Sequence, residues 1–119
     1  MHYRQNASTD VIEVPAYHGG EGVFKTRAFF DGVSRMPVKM QVWELDPGAS
    51  EGSHTHEGDR ALEEVYYFLH GTGTMWADGE EFPVAAGDAV LAPPGSDHGF
   101  RNTGSEPLKL LIIWGEPRN

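Results

Sequence analysis

Fifteen glycines and eight prolines, spread through 119 residues, cut this sequence into short apolar stretches, and none of these sustains a helical repeat. Short β-prone runs bounded by turn residues at near-regular spacing predict an all-β sandwich or barrel rather than a helical or mixed fold. Strands are expected over Val23 to Phe30, Lys39 to Leu45, Glu64 to Leu69, Thr74 to Ala77, Glu80 to Val84, Ala89 to Ala92 and Leu108 to Trp114. Asp46-Pro47-Gly48 ends the second run with turn chemistry, and Asp78-Gly79 is a two-residue hairpin signal between the fourth and fifth. Residues 1 to 20 are less patterned and read as an N-terminal arm, leaving residues 21 to 119 as one barrel domain.

Successive side chains of a strand face opposite sides, so each run can be oriented. Glu44 facing water sends Met40 and Val42 outward and leaves Gln41, Trp43 and Leu45 inside. Lys109 facing water turns Leu108, Leu110, Ile112 and Trp114 inward. On the central run Glu64, Tyr66 and Phe68 share one face, and Val65, Tyr67 and Leu69 the other.

Composition narrows the function. Eighteen acidic against nine basic residues give a formal charge of −9, a surface that phosphate backbones and anionic membranes repel. Neither nucleic acid nor membrane is an expected partner, and no apolar run approaches the roughly 20 residues of a membrane helix. With no cysteine, disulfides and thiolate metal sites are excluded, which fits a cytoplasmic location.

The chemistry concentrates in histidines and one glutamate. His54 and His56 are separated by one residue, so on a strand both imidazoles share a face, about 6–7 Å apart. Glu64 opens the next strand on the Tyr66 face, and His98 follows the turn Pro93-Pro94-Gly95-Ser96-Asp97. Taken singly, each has an ordinary reading as a surface, strand-end or loop residue. Together, three imidazoles and a carboxylate suit a borderline divalent metal such as Fe, Mn, Zn, Ni, Co or Cu. An octahedral ion so held keeps two positions open.

The joint spacing resembles the two motifs of the cupin superfamily. Gly48, then His54 and His56, then Glu64 and Gly71 follow the first motif, and Gly87, Pro93, Gly95, His98 and Asn102 follow the second at every spacing. Fifteen residues, Thr72 to Ala86, separate the two, as in small single-domain members. One departure is a stretch of seven residues, Glu57 to Glu63, between His56 and Glu64 where the family has three or four. Strand parity and the distance to Gly71 select Glu64 over Glu63, and the longer loop is expected at the barrel mouth, where it would gate the site. His2, His18 and His70 match no motif position and read as arm, loop and strand-end residues. The resemblance implies an antiparallel jelly-roll barrel, one divalent transition metal on His54, His56, Glu64 and His98, and a homodimer.

The inward residues Gln41, Trp43, Phe68, Phe100, Ile112 and Trp114 predict an apolar, aromatic substrate pocket, with Tyr66 as the candidate catalytic proton carrier. No inward arginine cluster speaks for a heavily phosphorylated substrate. The expected activity is metal-dependent oxidation of a small organic molecule with Fe or Mn. The alternatives are Lewis-acid isomerase, lyase or decarboxylase chemistry, and small-molecule binding without turnover.

Overall fold

A computed structural model describes residues 1–55 and 61–118. Ten strands carry the fold: β1 (Ile12–Pro15), β2 (Val23–Ala28), β3 (Val38–Leu45), β4 (Ser50–His54), β5 (Glu63–His70), β6 (Thr72–Ala77), β7 (Glu80–Ala85), β8 (Ala89–Ala92), β9 (His98–Arg101) and β10 (Leu108–Gly115). They form a six-stranded sheet in the order β1-β2-β3-β10-β5-β8 and a four-stranded sheet in the order β4-β9-β6-β7. Every neighbouring pair is antiparallel.

The inner faces supply one core. Phe24, Leu45, Tyr66, Phe68, Met75, Phe100, Leu108, Leu110 and Ile112 are all at most 1% exposed, and Trp43 packs among them. Alternation explains most of this set. Trp43 and Leu45 of β3, Tyr66 and Phe68 of β5, and Leu108, Leu110 and Ile112 of β10 point in, while Tyr67 and Leu69 point out and are each 42% exposed. Val42 points out as expected yet is nearly buried, because residues near Val11 flank it across a concavity on the outer face.

Turns hold the strand ends. Asp78 and Gly79 both take positive φ, 52° and 83°, the geometry of a tight hairpin that joins β6 to β7 with the right twist. Gly71 is required twice over: its φ is 86°, and a Cβ there would lie 2.5 Å from the Pro107 carbonyl oxygen. Past β9, the buried Asn102 amide donates to the carbonyls of Leu45 (2.9 Å) and Glu106 (2.8 Å) and accepts from the Gly104 N–H (3.0 Å). One side chain thus ties the end of β9 to β3 and to the approach of β10.

Three elements were not marked by the sequence pattern: β1, β4 and β9. The expected arm contributes β1, paired along β2 from Ile12↔Thr26 to Pro15↔Val23. No helix among the described residues is long and apolar enough to cross a membrane.

Candidate metal centre

Three strands from both sheets deliver the site. Glu64 lies near the start of β5, facing inward and 5% exposed, while its neighbour Glu63 pairs with Gly115 on the other parity. His98 opens β9 and is 1% exposed. The turn before it is pinned to the β6–β7 hairpin: Asp78 N–H donates to the Asp97 carbonyl (2.8 Å), while Asp97 N–H and the Ser96 hydroxyl donate to the Asp78 carboxylate (3.1 Å each). His54 closes β4, with its side chain 6% exposed.

Backbone carbonyls fix the tautomers of both imidazoles. His54 Nδ1–H donates to the Gly52 carbonyl (3.1 Å) and His98 Nδ1–H to the Ser96 carbonyl (2.9 Å). Each ring then presents its Nε2 lone pair to the interior, the arrangement that orients metal-binding histidines. His98 Nε2 lies 3.0 Å and His54 Nε2 3.5 Å from the same oxygen, Glu64 Oε1. With metal–ligand bonds of about 2.0–2.2 Å, adjacent ligand atoms stand about 2.8–3.6 Å apart across octahedral and tetrahedral angles, so these separations fit a shared ion. The donor set fits as well: two lone pairs and a carboxylate face one point, which calls for positive charge. The ligand atoms of His54, Glu64 and His98 all lie within 4.8 Å of one another and could hold a metal ion. His56, the fourth expected ligand, lies outside the described residues, as does most of the long loop that follows it.

Sequence reasoning missed Glu51. Its carboxyl is 1% exposed and faces the same interior as His54, although the two are three positions apart and strict alternation would oppose them. A bulge resolves the parity. Glu51 pairs with Phe100 and His54 with His98, so three residues of β4 span two of β9. Gly52, in the bulge, was the available signal, since an in-strand glycine often marks one.

The hydroxyl of Tyr66 joins the groups. It stands 3.1 Å from Glu51 Oε1, 3.2 Å from Glu64 Oε2 and 3.1 Å from His98 Nε2. Burial, reinforced by the nearby Glu64 charge, pushes the Glu51 carboxyl up to about 9 against the pull of its Tyr66 bond, so Glu51 is protonated near neutral pH. Burial and the two carboxylates raise the Tyr66 phenol well above its ordinary value. For His98 burial works downward, but the contact with Glu64, the Ser96 carbonyl and the Glu64 and Asp97 charges outweigh it and the net shift is upward.

A cavity of about 240 Å³ opens beside Glu64. Of the expected pocket residues, Gln41, Trp43, Ile112 and Trp114 stand on its wall, together with Glu51. Phe68 and Phe100 do not: both are wholly buried core, deeper along their strands than Tyr66 and His98. Trp43 Nε1–H donates to Gln41 Oε1 (2.8 Å), so the amide nitrogen is the edge Gln41 has left for other partners. Tyr17 and His18, read from the sequence as arm and loop, complete one side. His70 behaves as a strand-end residue, exposed and 3.1 Å from the Pro107 carbonyl.

Comparison with known proteins agrees with this architecture. The cupin domain family matches residues 41–114. The chain is 39% identical over 69 residues to an oxalate-binding protein of Thermotoga maritima, covering 58% of this chain and 54% of that protein. It is 30% identical over 90 residues to auxin-binding protein 1 of Arabidopsis thaliana, covering 66% of this chain and 43% of that one. The chain thus spans about half or less of the length of these relatives. Among solved structures, a predicted oxalate decarboxylase of Thermotoga maritima superposes with a TM-score of 0.83 at 27% identity over 94% of this chain and 97% of that one. A polyketide cyclase of Streptomyces resistomycificus shares the fold, with a TM-score of 0.79 at 23% identity over 97% and 80% of the two chains.

Proposed function

The chain belongs to the cupin family, and from that premise we propose that it is a metal-dependent enzyme acting on a small organic molecule, oxidative and dioxygenase-like with Fe or Mn on His54, His56, Glu64 and His98. The observation that carries the reading is the convergence of two tautomer-fixed Nε2 atoms on Glu64 Oε1 at the edge of an aromatic cavity. Such an ion supplies electrophilic activation of substrate oxygens and, when it is iron or manganese, a redox couple.

The protein's own groups do the rest. Trp43, Ile112 and Trp114 line the cavity with apolar surface, which suits a small, modestly polar substrate. Tyr66 holds a proton 3.1–3.2 Å from both Glu51 and Glu64, in position to hand it toward the cavity. Glu51, neutral through burial, stands on the cavity wall 3.1 Å from the Tyr66 hydroxyl and can pass a proton from it into the cavity.

The same pair favours a second reading. Decarboxylation must protonate the carbon that loses carbon dioxide, without any oxidant, and a buried Glu51–Tyr66 couple is a source of such protons. The names of the Thermotoga maritima relatives, oxalate-binding and predicted oxalate decarboxylase, lean the same way and suggest small oxo-acids as trial substrates. Turnover by Fe(II)- and Mn(II)-loaded protein, measured with and without oxygen on oxalate and other small oxo-acids, separates the readings. Oxygen uptake coupled to product formation supports oxidation. Equal anaerobic turnover sinks it in favour of the second reading, and saturable binding with no product leaves a binding protein.

The expected homodimer is proposed to form through a sheet edge and the N-terminal residues, where β1 is an edge strand of the larger sheet and Tyr3, Val11 and Ile12 are 59%, 42% and 62% exposed. Light scattering should give twice the 13.1 kDa chain mass, and a monomer mass would refute the pairing.

A further inference from the structure

Residues 16–22 form a loop laid directly against β4. Gly52 N–H donates to the Tyr17 carbonyl (3.0 Å), Ser50 N–H to the Glu21 carbonyl (2.9 Å) and Glu21 N–H to Ser50 Oγ (2.9 Å). The loop also closes on itself, with Gly20 N–H on the Tyr17 carbonyl (3.0 Å) and Ala16 N–H on the Gly22 carbonyl (3.1 Å). The approach leaves no room for side chains. A Cβ on Gly52 would sit 1.9 Å from the His18 carbonyl oxygen, and one on Gly20 2.0 Å from that of Ser50. The Tyr17 ring anchors the loop to the core, with centroids 5.3 Å from both Phe24 and Trp43.

This clamp presents His18, at φ 58°, to the metal strand. Its imidazole stacks face to face on that of His54, with centroids 3.7 Å apart and planes 9° from parallel. The geometry decides between two roles. The ligand atoms of His18, Glu51 and His54 also lie within 4.8 Å of one another, but a metal ion lies in the plane of the imidazole that binds it, and two rings stacked 9° from parallel do not share a plane. His54, meanwhile, stands at the end of a bulged strand, where the Nδ1–Gly52 bond sets which nitrogen faces inward and the His18 ring packs flat against the imidazole face.

We propose that His18 is a positioning residue of the metal centre, holding the His54 ring plane so that Nε2 faces Glu64 and His98. The proposal rests on the reading of His54 as a ligand. It makes the 16–22 loop part of the centre without making it a donor.

The test uses the full chain, stripped with chelator and titrated with Zn(II) by competition and with Co(II) by visible absorption. His18→Gly removes the ring and suits the positive φ, so the loop backbone keeps its path. His18→Phe keeps a stacking ring and removes both nitrogens. The expected result is about 10-fold weaker metal binding and an altered Co(II) spectrum for His18→Gly, with His18→Phe restoring affinity to within about 3-fold of wild type. If His18→Phe binds as weakly as His18→Gly, a nitrogen is needed and the positioning role is overturned. Wild-type affinity in both variants overturns it equally. Failure of the wild-type chain to take up metal instead overturns the reading of His54 as a ligand. A thermal midpoint for each apo variant separates loss of fold from loss of affinity.

Discussion

Replacing Tyr66 by phenylalanine removes a single oxygen from the centre of the site. The ring keeps its packing, with Phe100 and His98 at 5.8 and 5.6 Å between centroids, so no cavity forms. What disappears is one O–H donor that lies 3.1 Å from Glu51 and 3.2 Å from Glu64. Hydrogen bonds to charged partners contribute about 1.5–3 kcal/mol, and these lengths lie just beyond the usual O–H···O range, so about 1.5–2 kcal/mol is expected. Unfolding entropy of about 2.1 cal/mol/K per residue turns that loss into a fall of roughly 6–8 °C in the midpoint of this 119-residue chain. Metal affinity should weaken by about 10-fold or more, as when a group that orients ligands is removed. Calorimetry on chelator-treated protein reads the first number and Zn(II) competition the second. A midpoint within about 1 °C of wild type together with unchanged affinity would show that the hydroxyl makes no net bond, and the proton route through Tyr66 would fall with it.

Other outcomes follow from the same geometry. His54→Ala and His98→Ala should abolish stoichiometric metal while retaining the fold, Glu64→Ala should weaken binding, and Glu63→Ala should leave it unchanged; metal analysis of purified protein checks all four. Because the folded state raises the Glu51 pKa to about 9, the native protein binds its proton more tightly than the unfolded chain does. Metal-free stability should therefore be greatest below the ordinary carboxylate range and fall as pH rises toward 9, by about 6 kcal/mol at most. The raised His98 acts in the same direction, and Glu51→Gln should flatten most of the slope in urea midpoints. Asn102→Ala strands the carbonyls of Leu45 and Glu106 and the N–H of Gly104, and should cost about 3 kcal/mol in denaturant unfolding with little change in metal affinity per folded molecule.

Much of this site was legible from spacing because a regular strand converts sequence parity into direction. Parity chose Glu64 over Glu63 and placed Trp43, Leu45, Tyr66 and Ile112 inside, and β5, β3 and β10 are regular enough there to honour it. It failed where the backbone departs from regularity. Glu51 and His54 share an interior only through the bulge that β9 imposes on β4, a property of the pairing that neither strand's own alternation reveals. His18 was out of reach for a different reason: its neighbour, His54, lies 36 positions later on a strand the loop packs against, and Gly19-Gly20 hints at close approach without saying to what. Phe68 and Phe100 were placed on the inward face correctly, but parity carries no depth, and both sit below the cavity rather than on it.

The position of β10 has a consequence for how the molecule can be made. The last strand in sequence lies in the middle of the larger sheet, between β3 and β5. Until it has left the ribosome, β1-β2-β3 and β5-β8 have no common edge and remain two separate ribbons. Glu64 rides on one ribbon, and His54 and His98 belong to the opposing sheet, so the candidate site joins both sheets. Closure then happens as one late step with both sequence-distant partners waiting, the kind of non-local pairing that folds slowly. Until that step the inward faces of both ribbons are open to solvent. The three candidate ligands stand together where the two sheets pack in the assembled barrel.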